Sequence, residues 1–72
     1  MAGEFGSRPG RVVSFDEPAG YGTVRDDDGE EHPFHCTAIA GGGRTIEVGA
    51  EVRYDVVPGL QGRWEATNLT RR

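Results

Sequence analysis

Gly20-Tyr21-Gly22-Thr23-Val24-Arg25, running straight into Asp26-Asp27-Asp28-Gly29, decides how this chain folds. As an extended strand, the first six residues put Val24 on the same face as Gly20 and Gly22. Tyr21, Thr23 and Arg25 take the opposite face. Glycines repeated every second residue on an inward face suit the sharply coiled strand of a small closed barrel. The Asp-Gly end predicts a tight hairpin, because glycine takes a positive φ without strain.

The rest of the chain has the same grain. A β-rich run at residues 11–15 precedes the Pro18-Ala19-Gly20 turn, and a third run covers residues 32–36. Ala40-Gly41-Gly42-Gly43 reads as a flexible loop. The fourth run, residues 51–57, alternates with Val52, Tyr54 and Val56 on one face and Arg53 and Asp55 on the other. After the Pro58-Gly59-Leu60-Gln61-Gly62 turn, residues 63–69 form the fifth run. Apolar residues do not recur at helical spacing over any long window. Five short strands with turn signals between them predict an all-β fold, a five-stranded antiparallel OB-type barrel.

Seventy-two residues make one domain with a small core. Glu4-Phe5 and Gly6-Ser7 are dipeptides that common cloning sites encode, so residues 1–7 are set aside as a remnant or disordered tail and the domain is placed at residues 8–72. The single cysteine, Cys36, has no partner within the chain and points to a reducing compartment. No apolar run approaches the roughly 20 residues that span a bilayer, and no secretory leader is visible. A cytoplasmic protein with no membrane partner is the expectation.

Charge qualifies any nucleic-acid reading. The net charge is −4, and phosphate binding wants a basic face. The imbalance is local: residues 1–43 carry a net −5 and residues 44–72 a net +1. All eight cations are arginine, which stacks on bases and chelates phosphate in ways lysine does not; a GC-rich genome encodes the same bias.

Gly10-Arg11-Val12-Val13-Ser14-Phe15-Asp16, Gly20-Tyr21-Gly22-Thr23-Val24, Asp27-Asp28-Gly29 and Phe34-His35-Cys36-Thr37-Ala38-Ile39 together resemble the bacterial cold-shock domain. Arg44-Thr45-Ile46-Glu47-Val48-Gly49-Ala50-Glu51-Val52 and Ala66-Thr67-Asn68-Leu69 continue the match in order, so that it covers residues 10–69. The resemblance implies a binder of single-stranded RNA or DNA that keeps RNA unpaired. It implies two adjacent motifs whose aromatic residues stack bases beside a basic groove, each base contributing roughly 1–3 kcal/mol.

This chain departs from the family at those motifs. Where the family has Lys-Gly-aromatic-Gly-Phe, it has Ala19-Gly20-Tyr21-Gly22-Thr23. Where the family has Phe-Val-His-Phe, it has Pro33-Phe34-His35-Cys36. A lysine and a tryptophan of the first strand are Val13 and Ser14 here. The stacking residues that remain are Phe15, Tyr21 and His35, with Arg25 on the Tyr21 face for phosphate. Trp64, beside Arg63, offers a displaced stacking site if it faces outward, and plugs the core if it does not. The stripped face leaves a second reading, a barrel whose partner is a protein.

Other chemistry finds little support. His32, His35 and Cys36 are close in sequence, but His32 and His35 point to opposite faces of a strand, so no metal and no cofactor is expected. Cys36 and His35, as neighbours on a strand, face apart and lack an orienting third group, so no nucleophile is assembled. Asp26-Asp27-Asp28-Gly29 is too compact for a calcium loop and reads as a solvated tip. Gly20 and Gly22 precede no helix and form no phosphate loop. The chain is read as a binding module, not an enzyme, with no small-molecule substrate.

Overall fold

Burial along the second strand follows the glycine spacing: Gly20, Gly22, Val24 and Asp26 are buried, while Tyr21 and Arg25 are exposed and Thr23 half-exposed. The computed structural model describes residues 8–41, 43, 45–59 and 64–72. It contains β1 Arg8–Asp16, β2 Tyr21–Asp26, β3 Glu31–His35, β4 Glu51–Pro58 and β5 Trp64–Arg71, all antiparallel, in the sheet order β3-β2-β1-β4-β5. Cys36–Ala38 forms one 3₁₀ turn. Among the described residues no helix is long and apolar enough to cross a membrane. The expectations for residues 1–7, Gly42, Arg44, the turn residues 60–62 and Arg63 lie outside the described residues.

The sheet coils until β3 packs against β5. The sheet itself stays open, with β3 and β5 as its two edges; past the end of β3 one parallel bridge joins Ile39 to Leu69, next to which the Ala40 amide donates to the Leu69 carbonyl at 2.8 Å. Segment 46–50 returns to β1: the Gly49 amide donates to the Val12 carbonyl (2.8 Å) and the Val12 amide to that of Ala50 (3.0 Å). Val12, Val24, Phe34, Ile46, Val52, Tyr54, Ala66 and Leu69 form the core. Each large apolar side chain removed from water there contributes about 1.5–3 kcal/mol.

Two bulges set the curvature. Val13 and Ser14 both oppose Thr23, so β1 changes face between Val12 and Phe15. In the second, the β4–β5 register slips between Arg53 and Asp55, and Asn68 on the longer side takes a φ of 56°. Asparagine tolerates that left-handed region better than most residues.

Close packing over glycine completes the coil. A Cβ at Gly22 would sit 2.5 Å from the Ser14 carbonyl oxygen and 2.6 Å from the Phe34 ring. A Cβ at Gly10 would meet the Arg25 carbonyl oxygen at 2.6 Å and the Tyr54 ring at 2.8 Å. Tyr54 is buried among core residues, and its hydroxyl has no hydrogen-bond partner among the described residues. Burial first, then the negative charge of Asp26, pushes its pKa up to about 12.

Gly22→Ala is expected to lose about 2–3 kcal/mol, since the carbonyl it strikes belongs to a paired strand and cannot yield. Gly43→Ala, whose Cβ meets nothing nearer than 3.9 Å, is the control; urea denaturation of both reads the difference, and equal stabilities would refute the packing argument. Tyr54→Phe removes a buried hydroxyl that has no partner, so it should be neutral or stabilising by about 1 kcal/mol. A loss of stability in the same assay would show that the hydroxyl is satisfied.

Candidate nucleic-acid interface

The outer face of β1–β3 is assembled by register. Tyr21 opposes His35, Thr23 opposes Pro33, and Ser14 lies across from Thr23 on the other side. Side chains directly opposite on one face of an antiparallel pair are neighbours. The Tyr21 and His35 rings meet edge to face with centroids 4.9 Å apart, a favoured aromatic arrangement. Tyr21 is 56% exposed and His35 half-buried. A shallow groove of about 360 Å³ runs beside them, lined by Ser14, Phe15, Asp16, Tyr21, Thr23 and Pro33. The sequence reading missed Ser14, Thr23 and Pro33 as groove walls; Thr23 was legible from the Tyr21–Thr23–Arg25 alternation, while Ser14 depends on the bulge.

His35 is held in place by the turn that follows it. Its Nδ1 accepts from the Thr37 amide at 3.3 Å and lies 2.9 Å from the Thr37 hydroxyl. With Nδ1 assigned as acceptor, the neutral ring carries its proton on Nε2. The expectation that Cys36 faces away from His35 is corrected: Cys36 Sγ lies 3.9 Å from His35 Nδ1. The strand ends at His35, so strand alternation no longer governs Cys36. The contact is long and weak, and the amide of Cys36 is anchored to the Gly20 carbonyl at 2.7 Å.

The other predicted contacts are placed differently. Phe15 opposes Gly22 and stacks on Phe34 with centroids 5.8 Å apart and planes 3° from parallel. It is half-buried against the core and also lines the groove. Arg25 is exposed on the Tyr21 side, but its guanidinium holds Glu31, its register partner, through Nε at 3.0 Å and through Nη2. Trp64 is 57% exposed and does not plug the core. It borders a separate open cavity of about 220 Å³ with Arg8, Glu30, His32 and Val56, which shares no residue with the Tyr21 groove. Arg63 lies outside the described residues.

The hairpin end of the face is not wholly a solvated tip. Asp27 and Asp28 are exposed, but Asp26 is buried. Its Oδ1 accepts from the amides of Asp28 and Glu30, both at 3.0 Å, and its Oδ2 faces Arg8 Nη1 at 3.3 Å. Burial raises the Asp26 pKa, but the Glu30 and Asp28 amides, Arg8 and His32 together outweigh it and hold the carboxyl below the usual aspartate value. An Asp that opens a turn by accepting from amides two and four residues on is a known local motif; that signal was present in the sequence and was masked by the aspartates next to it. His32 is buried on the inner side of β3 while His35 lies on the outer side, as alternation requires.

With this geometry in place, comparison with known proteins identifies the family. The 'Cold-shock' DNA-binding domain family model matches residues 8–72. Cold shock-like protein CspD of Bacillus cereus is 36% identical over 63 residues, covering 86% of this chain and 94% of that protein. Cold shock protein CspB of Bacillus caldolyticus is 36% identical over the same shares. The solved structure of drosophila Unr CSD456 superposes with a TM-score of 0.75 at 24% identity, over 92% of this chain and 26% of that longer one, a likeness of fold. The chain belongs to the cold-shock domain family.

Proposed function

We propose that this domain binds single-stranded nucleic acid on the Tyr21–His35 face and acts as a cold-shock-like RNA chaperone of modest affinity. The observation that carries the reading is the pair of adjacent rings on the outer face, one of them more than half exposed. An unpaired base offers a π-face to such a ring whatever its identity. Ser14, Thr23 and Pro33 wall the strand path, and the Phe15 edge closes its inner side. The site works by stacking and release, without a chemical step, and the protein acts in the cytoplasm.

Charge limits the affinity. Arg8, Arg11, Arg25 and Arg72 all have carboxylate partners, at Asp26, Glu51, Glu31 and Glu51 respectively. A phosphate approaching Arg25 must displace Glu31. Exposed ion pairs of this kind are weak, about 0–1 kcal/mol, so the exchange is feasible but unrewarding.

Trp64 lies outside the groove, so binding is best read by anisotropy of a labelled U-rich or T-rich oligonucleotide. Tyr21→Ala is expected to weaken binding by about 5- to 150-fold, the loss of one stacking contact of about 1–3 kcal/mol. Unchanged affinity would remove Tyr21 from the site. Glu31→Gln frees the Arg25 guanidinium; affinity should rise severalfold at low salt, and the slope of log K against log salt should steepen by about 0.7, one added phosphate contact. A slope equal to that of the wild type would exclude Arg25 from the phosphate path.

A further inference from the structure

Outside the nucleic-acid face, the side chains at the base of the β2–β3 hairpin converge without a common partner. One ligand atom from each of Asp26, Glu30 and His32 lies within 4.8 Å of the other two. His32 Nε2 is 3.7 Å from Asp26 Oδ2 and 4.0 Å from Glu30 Oε1, too far for a hydrogen bond to either. The His32 side chain is only 9% exposed, and its Nε2 is buried with no hydrogen-bond partner among the described residues. Leaving such a group unsatisfied costs about as much as a lost hydrogen bond and calls for an explanation.

We propose that Asp26, Glu30 and His32 bind a divalent transition-metal ion of the Zn²⁺ class. One imidazole and two carboxylates are a donor set that such ions accept, with water completing the shell. Donors about 2.1 Å from a tetrahedral ion stand about 3.4 Å apart, so His32 and Asp26 need to close by only a few tenths of an ångström. Glu30, whose side chain is 70% exposed, has room to swing in from the rim. Asp26 is already aimed: amide donors hold its Oδ1, so Oδ2 points toward His32. Second-contact hydrogen bonds of this sort orient ligating carboxylates in metal sites.

Arg8 is the competitor. Its Nη1 sits 3.3 Å from Asp26 Oδ2, and an ion must displace it. The Arg8 side chain is 45% exposed and opens to solvent without disturbing the core. The ion would bridge the two ends of one hairpin turn and the strand after it, and so pin β2 to β3. Two of the three ligands, Glu30 and His32, also line the cavity that Trp64 borders, and Trp64 is the only tryptophan of the chain.

That tryptophan makes the test direct. Ni²⁺ added to the full chain should quench Trp64 emission saturably, and Zn²⁺ should compete the quenching away. At Zn²⁺ a hundredfold above its dissociation constant, the melting temperature should rise on the order of 10 °C. Both effects should survive His35→Ala, which removes the other histidine, on the outer face. The apparent dissociation constant should rise at least tenfold in His32→Ala and in Glu30→Gln; the second alters an exposed side chain and keeps the fold. Arg8→Ala should bind more tightly than the wild type. An absence of saturable quenching and of any melting shift at millimolar metal, or quenching that persists unchanged in both His32→Ala and Glu30→Gln, would overturn the proposal.

Discussion

Phe34 lies across Gly22, and any side chain at position 22 would occupy the space of its ring. Much of the architecture follows from that contact. With Phe34 turned into the core, its neighbours Pro33 and His35 must face outward. Register then sets Pro33 opposite Thr23 and His35 opposite Tyr21. The outer face is therefore a consequence of how the core is filled, and its two rings are held by a constraint on the opposite side of the sheet. Gly10 beneath Tyr54 does the same where β1 passes from β2 to β4. A domain of this size has few core residues with which to coil a sheet, and ring-over-glycine contacts let its backbones approach closely.

The face built this way has stacking capacity and little free charge. Carboxylates partner arginines on both sides of it, and exposed Asp27 and Asp28 lie at its hairpin end. A nucleic-acid site with many unpaired cations draws its affinity from counterion release and is strongly salt-dependent. In the site we propose, base stacking would carry a larger share, because a ring does not compete with glutamate. Such a surface suits a protein that must hold an unpaired strand and then let it go.

Reading the sequence reached the strands because they depend on alternation, which is local, and reached Tyr21 and His35 through the two adjacent motifs that the family resemblance implies. It did not reach the places where alternation breaks. The Val13 bulge turns Phe15 toward Phe34, and a bulge shows in the pairing of two strands, not in either one alone. Cys36 approaches His35 because the strand has already ended. Trp64 shares the phase of buried Ala66, yet stands at the strand end opposite Pro58 and is more than half exposed. Asp26 looked like one acid in a run of three, but the turn it opens needs its carboxylate inside. Each of these depends on where an element stops or slips, which a periodic pattern does not encode.

Asp26 also explains why the two ends of the coil differ in character. Near Gly22, the inner face closes with Phe34 and Phe15 stacked on each other. Near Gly10, it closes with Tyr54, His32 and Asp26, and the Tyr54 and His32 rings lie 6.2 Å apart. Two polar atoms there, His32 Nε2 and the Tyr54 hydroxyl, are buried without hydrogen-bond partners among the described residues. Each such atom costs about 1–3 kcal/mol, a large fraction of the stability of a small domain. Apolar residues of similar size would avoid that cost, so packing alone does not account for these choices. The hairpin that carries Asp26 and His32 also carries Arg25 and the Thr23–Pro33 wall of the groove. An ion held by Asp26 and His32 at one end would therefore also stiffen the strand pair that presents the rings at the other.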